Sequence, residues 1–238
     1  MNYAFVAIID ILGYRDGLKA DQTSKTTDYQ GKLRDALNKS LVDIPLGTYN
    51  YEANCDTIII ACHDMEAFVD FLKIVKNVSI EFIRKGIFVR GGIAYNLHLR
   101  EHYFTYSYAM VNAHLLEKNV AIYPRIVIEN NLIKMFDSNN NIVMYNRLVE
   151  SNLVVEENGI HFLNILDKSN WDEMYQFAET MYKDYDQKFP IPNDLDDKKL
   201  AIRESIHQKH VWFEQYLHNR CKSKKTFKQY TNKIHPLK

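Results

Sequence analysis

Two aspartates stand where apolar runs give way to tighter structure. Asp10 interrupts Phe5-Val6-Ala7-Ile8-Ile9-Asp10-Ile11-Leu12-Gly13-Tyr14, and Asp56 lies in Asn54-Cys55-Asp56-Thr57-Ile58-Ile59-Ile60-Ala61. An ionised carboxylate beside buried hydrocarbon is unfavourable unless a cation or hydrogen-bond donors compensate it, so two such placements invite a shared partner. Magnesium suits the pair. It takes a few carboxylate oxygens and completes its shell with water and phosphate oxygens, and the turn at Gly13 offers backbone N–H groups to those phosphates. Taken singly, each aspartate also fits a helix cap or a turn anchor.

The pattern around these residues predicts the elements that would hold them. Residues 3 to 10 form a continuous apolar run, a buried strand, and residues 15 to 42 are polar with periodic Leu18, Leu33, Leu37 and Leu41, helical material after a loop. Tyr49 to Asn54 and Thr57 to Cys62 flank Asp56 as two strands, which places its carboxylate at a hairpin bend. Ala67, Phe68, Phe71, Leu72, Val75, Val78, Phe82 and Ile83 recur at helical spacing up to Lys85-Gly86, where glycine ends the helix. A strand from Ile87 to Tyr95, a helix from Tyr108 to Lys118 and a strand from Arg125 to Glu129 follow. The order βαββαβ is that of an α/β (α+β) sheet with helices packed on one face.

After Asn130 the texture changes. Asp137 to Asn141 reads as a turn, Ile142 to Tyr145 as a short strand, and Trp171 to Lys188 and Lys198 to Arg220 as two long helices around the turn-rich Phe189 to Asp194. Residues 1–130 then form a core, and 131–238 an extension of the same domain. The aromatic residues Trp171, Tyr175, Phe177, Tyr182, Trp212, Phe213 and Tyr216 fall at helical spacing, as core or interface residues do.

Composition narrows the function classes. The 238 residues are 46% hydrophobic, enough to bury a substantial core. Lysine plus arginine equals aspartate plus glutamate at 30 each, so no global field draws the chain toward nucleic acid or membrane. The basic tail with Arg220, Lys222, Lys224, Lys225, Lys228 and Lys233 is short and reads as solvated. Cys55, Cys62 and Cys221 have neither paired nor metal-ligand spacing, which fits a reduced cytoplasmic compartment. No apolar run nears the roughly twenty residues of a membrane span, and no basic region precedes the first strand.

The ordered set Ile9-Asp10-Ile11-Leu12-Gly13-Tyr14, Asp56-Thr57-Ile58, Arg90-Gly91-Gly92-Ile93, Ala113 with Leu116-Glu117, and Pro124-Arg125-Ile126 resembles class III-like nucleotide cyclase domains. More narrowly, it is similar to the pyrimidine nucleotide cyclases of bacterial Pycsar antiviral defence systems, which make cyclic UMP or cyclic CMP. The resemblance covers residues 3 to 130, with looser matches at Glu157 to Leu166 and at Lys209 to Asn219. It implies a palm-like sheet, a head-to-tail homodimer, UTP or CTP as substrate, and Mg²⁺ or Mn²⁺ held by Asp10, Asp56 and the Ile11 carbonyl. Leu12, Gly13 and Tyr14 would cradle the β- and γ-phosphates. In purine cyclases of this type the later helix carries an Asn and, four residues on, an Arg; here Val111 and Leu115 stand at those positions. Another cation is then needed in the transition state, for which Arg90 and Arg125 are the candidates, although Arg125 equally fits a turn-holding role after Pro124. The helix begins with Ser107 where glycine is usual, and Asn96 stands where another glycine is expected near the phosphates.

Base choice falls to Tyr49, Tyr51 and Asn54 on the strand before Asp56. Larger side chains there would fill space that a purine needs, and Asn54 can donate to and accept from a pyrimidine edge. A purine cyclase, a relative of the diguanylate cyclases, and a catalytically inactive nucleotide-binding or dimerisation module remain as alternatives. Diguanylate cyclases carry a Gly-Gly-acid-acid-Phe turn where this chain has Asn54-Cys55-Asp56-Thr57.

Overall fold

The computed structural model of the chain describes residues 2–42, 44–45, 47–101, 103–136, 141–188 and 197–220. The expected turns at 137–140 and 189–194, Cys221 and the tail lysines lie outside them. The chain divides into two compact units, Met1–Ile165 and Leu166–Lys238. That break falls later than residue 130, because the chain after it still adds strands to the first unit's sheet.

The first unit is built on one eight-stranded sheet in the order β2-β3-β1-β4-β6-β8-β7, with β5 paired to β4. Its central strand β1 (Asn2–Ile11) runs antiparallel to both β3 (Thr57–Cys62) and β4 (Val89–Glu101). The edge strand β2 (Tyr49–Asn54) and β3 form the expected hairpin, and Cys55 takes the positive φ of 55° that its bend requires. The strands β5 (Phe104–Ser107), β6 (Ile126–Ile128), β7 (Val154–Glu157) and β8 (Ile160–Leu163) complete the sheet. Between β1 and β2 the helical segment is two helices, α1 (Tyr14–Ser24) and α2 (Asp28–Leu41). Asp21 joins them by accepting from the Tyr29 and Gln30 N–H groups at 2.9 and 3.0 Å.

Side chains alternate across a strand, and the register sorts them into two faces. Phe5, Ala7, Ile9 and Ile11 of β1, Ile58, Ile60 and Cys62 of β3, and Val89 and Ile93 of β4 enter one core with α3 (Phe68–Arg84), α5 (Asn130–Met135) and α6 (Ile142–Ser151). Phe5, Phe68 and Phe136 stack at its centre, with ring centroids 4.7 to 4.8 Å apart for Phe5–Phe68 and Phe68–Phe136. Ala4, Val6, Ile8, Ala61 and Ala94 face the other way and meet Ala109 and Ala113 of α4 (Tyr108–Asn119). Helices therefore cover both faces, not one, because α4 presents alanines small enough to settle on the sheet's second face.

Two further expectations are corrected. Ile142 to Tyr145 opens a helix, not a strand: Asn141 caps it by accepting from the Met144 N–H at 3.0 Å, a local signal that outweighs two β-branched residues. Asn96 is not in a phosphate loop; it pairs with Ala4 inside the thirteen-residue β4, and its own side chain accepts from the Leu97 N–H at 2.8 Å.

The second unit contains α7 (Trp171–Lys188) and α8 (Asp197–Arg220). Trp171, Tyr182, Phe213 and Tyr216 are buried, as their spacing predicts. The same helix α8 also buries Arg203, His207, His210 and Glu214, recurring every three or four residues, so its inner seam is largely ionisable. Arg203 donates to the Tyr185 hydroxyl at 2.6 Å and to Asp186 at 3.3 Å. Among the described residues no helix is long and apolar enough to cross a membrane.

Candidate active site

The register of β1 with its neighbours assembles the site. Asp10 pairs with Thr57 of β3 and Arg90 of β4, and Thr57 pairs with Asn54 of β2. Asn54, Thr57, Asp10 and Arg90 thus form one row across four strands on the α4 face. Asp56 stands beside that row, and its backbone carbonyl accepts from the Ile11 N–H at 2.8 Å. This bond ties the residue after Asp10 to the hairpin bend, which brings together two aspartates 46 positions apart in the chain.

The expected phosphate cradle is partly altered. Gly13 adopts φ 77°, in the left-handed region that favours glycine, and turns the chain from β1 into α1. The first intrahelical bond runs from the Gly17 N–H to the Gly13 carbonyl at 3.0 Å, so the N–H groups of the first turn point out of the helix start, where its dipole favours an anion. Leu12 does not share in this: its N–H already donates to the Phe88 carbonyl at 2.9 Å. Of the expected three, Gly13 and Tyr14 stand at this helix start.

Arg90 is held at both ends. Its Nε donates to Asp10 Oδ2 at 3.1 Å, and its Nη2 lies 2.7 Å from Glu117 Oε1. Glu117 is buried on α4 at 5% exposure, with His114 Nδ1 3.4 Å from its other oxygen. Burial pushes the Glu117 carboxyl up, Arg90 pulls it down, and the nearby Asp10 raises it again, with smaller effects from His114 and Asp56. Arg125 sits elsewhere in chemical terms. Its guanidinium is buried over the rings of Phe162 and Tyr123, 5.4 and 5.7 Å from their centroids, and donates to the Val120 carbonyl at 3.2 Å. Its own carbonyl accepts from the Gly91 N–H at 3.0 Å, so the residue clasps the turn before β6 to β4.

Of the residues expected to read a base, Asn54 shares the face of Asp10. Tyr49 and Tyr51 alternate onto the opposite face, and Tyr49 is buried in the main core. Its hydroxyl is pushed up to about 12, chiefly by that burial. Ser107 caps α4 by accepting from the Met110 N–H at 3.0 Å and is hydrogen-bonded to His98 Nδ1 at 2.8 Å, so its departure from glycine installs a cap. Val111 and Leu115 on the same helix are exposed.

Among the described residues no group of three or more His, Cys, Asp or Glu side chains could by itself hold a metal ion. The oxygen donors that the backbone pairing brings into one neighbourhood are those of Asp10 and Asp56, with the adjoining Ile11 carbonyl. That is a hard and incomplete set, which fits an ion such as Mg²⁺ or Mn²⁺ that takes water and phosphate oxygens for its remaining positions. Glu117 stands in the ordered set of motifs, but sequence reasoning gives it no role. An acid four residues after Ala113, on the same face of a helix, was the available signal.

Solved structures with a similar chain course include a bacterial light-regulated adenylyl cyclase, with TM-score 0.40 and 9% identity over 76% of this chain and 98% of that one. Another is the adenylyl cyclase CyaB from P. aeruginosa, with TM-score 0.38 and 12% identity over 70% of this chain and 95% of that one. No family model and no curated sequence matches the chain. Likenesses this shallow leave the functional reading to the geometry of the site itself.

Proposed function

We propose that this chain is a nucleotide cyclase that converts UTP or CTP to the 3′,5′-cyclic monophosphate and pyrophosphate. The observation that carries the reading is the meeting of Asp10 and Asp56, tied by the 2.8 Å bond from the Ile11 N–H to the Asp56 carbonyl, beside the Gly13 helix start. Asp10, Asp56 and the Ile11 carbonyl would hold Mg²⁺ or Mn²⁺, and the Gly13 and Tyr14 N–H groups would bind the β- and γ-phosphates. A bound ion supplies acidity to the ribose 3′-hydroxyl and offsets phosphate charge. The chain's own residues orient the triphosphate so that the hydroxyl lies in line with the α-phosphorus, opposite the leaving pyrophosphate.

Asn54, exposed on the face of Asp10, is the residue we assign to the base edge. Pyrimidine over purine rests on Val111 and Leu115 standing where the resemblance expects Asn and Arg. Tyr108, Val111 and Leu115, three and four residues apart on α4, are exposed, and this is the helix face on which a second copy would close the site as a homodimer. A role in antiviral defence follows from the resemblance alone.

The test is incubation of the purified protein with each of the four ribonucleoside triphosphates and Mg²⁺ or Mn²⁺, cyclic products being identified by mass spectrometry and Asp56→Ala serving as control. Cyclic UMP or cyclic CMP that is lost in the variant supports the reading. A cyclic purine product overturns the base assignment, and no product from any triphosphate favours the inactive-module alternative.

A further inference from the structure

An arginine beside a metal-binding carboxylate is a paradox of charge. It occupies one carboxylate oxygen by hydrogen bonding and offsets the negative charge that a cation requires. Arg90 does this to Asp10, with Nε 3.1 Å from Oδ2. The same guanidinium is met from its other end by Glu117, 2.7 Å away and buried.

Backbone geometry explains how α4 delivers that acid. A Cβ on Gly92 would lie 2.2 Å from the Ala113 carbonyl oxygen, so this glycine lets the helix backbone touch β4. Arg90 is two residues before Gly92 on the same strand face, and Glu117 is four residues beyond Ala113 on the helix. Two strand residues span roughly 6.7 Å and four helical residues roughly 6 Å, so one contact sets the next pair in register. The strand β4 and the helix α4 run in opposite directions along this seam, which is why Glu117 arrives opposite Arg90.

Resting on the cyclase reading, we infer that Glu117 neutralises Arg90, so that Asp10 is fixed in orientation yet keeps its charge for a divalent cation. Glu117 is then a positioning residue that acts through Arg90, and Arg90 is a compensated strut. The Arg90 guanidinium is shared between two carboxylates, Asp10 at its Nε and Glu117 at its Nη2.

Mn²⁺ binding to the full-length protein, followed by the electron paramagnetic resonance signal of the free ion, tests this, with thermal melts confirming the fold of each variant. Glu117→Gln leaves the whole Arg90 charge on Asp10 and is expected to weaken Mn²⁺ roughly tenfold or more, the range found for outer-shell partners of metal ligands. Arg90→Met combined with Glu117→Met removes the pair entirely and is expected to hold Mn²⁺ within about threefold of wild type, since Asp10 loses the guanidinium that orients it but gives up none of its charge to an uncompensated cation. Wild-type affinity in a folded Glu117→Gln protein would overturn the inference. So would a double variant that binds no better than Glu117→Gln. Should Glu117→Gln fail to fold, the double variant decides alone: a folded double variant weakened more than about tenfold overturns the inference. Wild-type protein that holds Mn²⁺ no better than Asp10→Asn would overturn the inference together with the metal site. Failure of the cyclisation reaction with intact Mn²⁺ binding would touch only the reading of the reaction.

Discussion

Asp10 and Asp56 carry the proposed chemistry because the antiparallel pairing of β1 with β3, extended by the bond from the Ile11 N–H to the Asp56 carbonyl, sets them side by side. Replacing Asp10 with Ala should lower turnover by more than about 100-fold, since even outer-shell changes at metal sites commonly reach that range, while the melting temperature stays close to wild type. Arg125 belongs to a different category of residue. Its guanidinium packs on Phe162 and serves the Val120 carbonyl, and burial pulls its pKa below the ordinary arginine value. Arg125→Met should therefore destabilise the fold by roughly 1–3 kcal/mol, the usual effect of leaving a buried acceptor without its donor. A variant that melts like wild type and loses only turnover would instead return Arg125 to the site. The positions of Asp10 and Asp56 in the fold were legible from sequence because Asp10 stands at the end of one apolar run and Asp56 at the bend just before another. The role of Glu117 was only faintly legible, in its spacing from Ala113, since an acid on a helix looks solvated until the helix's partner is known.

At the scale of elements, α4 is seated by two local devices. Gly92 admits its backbone against β4, and Ser107 caps its start. Gly92→Ala forces a methyl group against the Ala113 carbonyl and should destabilise by about 1–3 kcal/mol, as overpacking of a close contact does. Urea denaturation would measure it, and an unchanged midpoint would mean that α4 gives way freely. Ser107→Ala should remove roughly 1 kcal/mol through the lost cap. The hairpin of β2 and β3 was legible to the residue, because two β-prone runs flank a short polar bend. The helix α6 was misread because Ile142-Val143-Met144-Tyr145 is too short for periodicity to separate helix from strand, whereas the capping Asn141 carried the answer.

For the molecule as a whole, the buried histidines of the second unit are a source of acid sensitivity. His210 is pushed down to about 3, first by burial and then by His207 and Lys209, so it is neutral in the folded state. Its unfolded form takes up a proton near pH 6.5, which means the unfolded state binds more protons below that value. Its contribution to stability is thus intact above pH 6.5 and lost progressively as pH falls toward 3. The loss approaches about 1.4 kcal/mol per pH unit, and His207, also shifted down by burial, adds in the same direction. Melts followed by circular dichroism between pH 7 and 4 should show a steep fall that His210→Leu makes shallower. An equal fall in both proteins would place the acid sensitivity in other groups.

By itself the sequence determined the order of elements from β1 to β6, apart from the short β5 and the division of α1 from α2, together with the hairpin bend that carries Asp56 and the glycine turn after Asp10. These are local properties, written in alternation, helical spacing and turn residues. Only the tertiary structure decided which face each residue takes. It set Tyr51 away from Asp10, gave the Leu12 N–H to Phe88, placed Arg90 between Asp10 and Glu117, and buried the ionisable seam of α8. Each of these depends on which segments meet across the sheet or along a helix pair, and pairing partners distant in sequence leave no periodic trace in either segment alone.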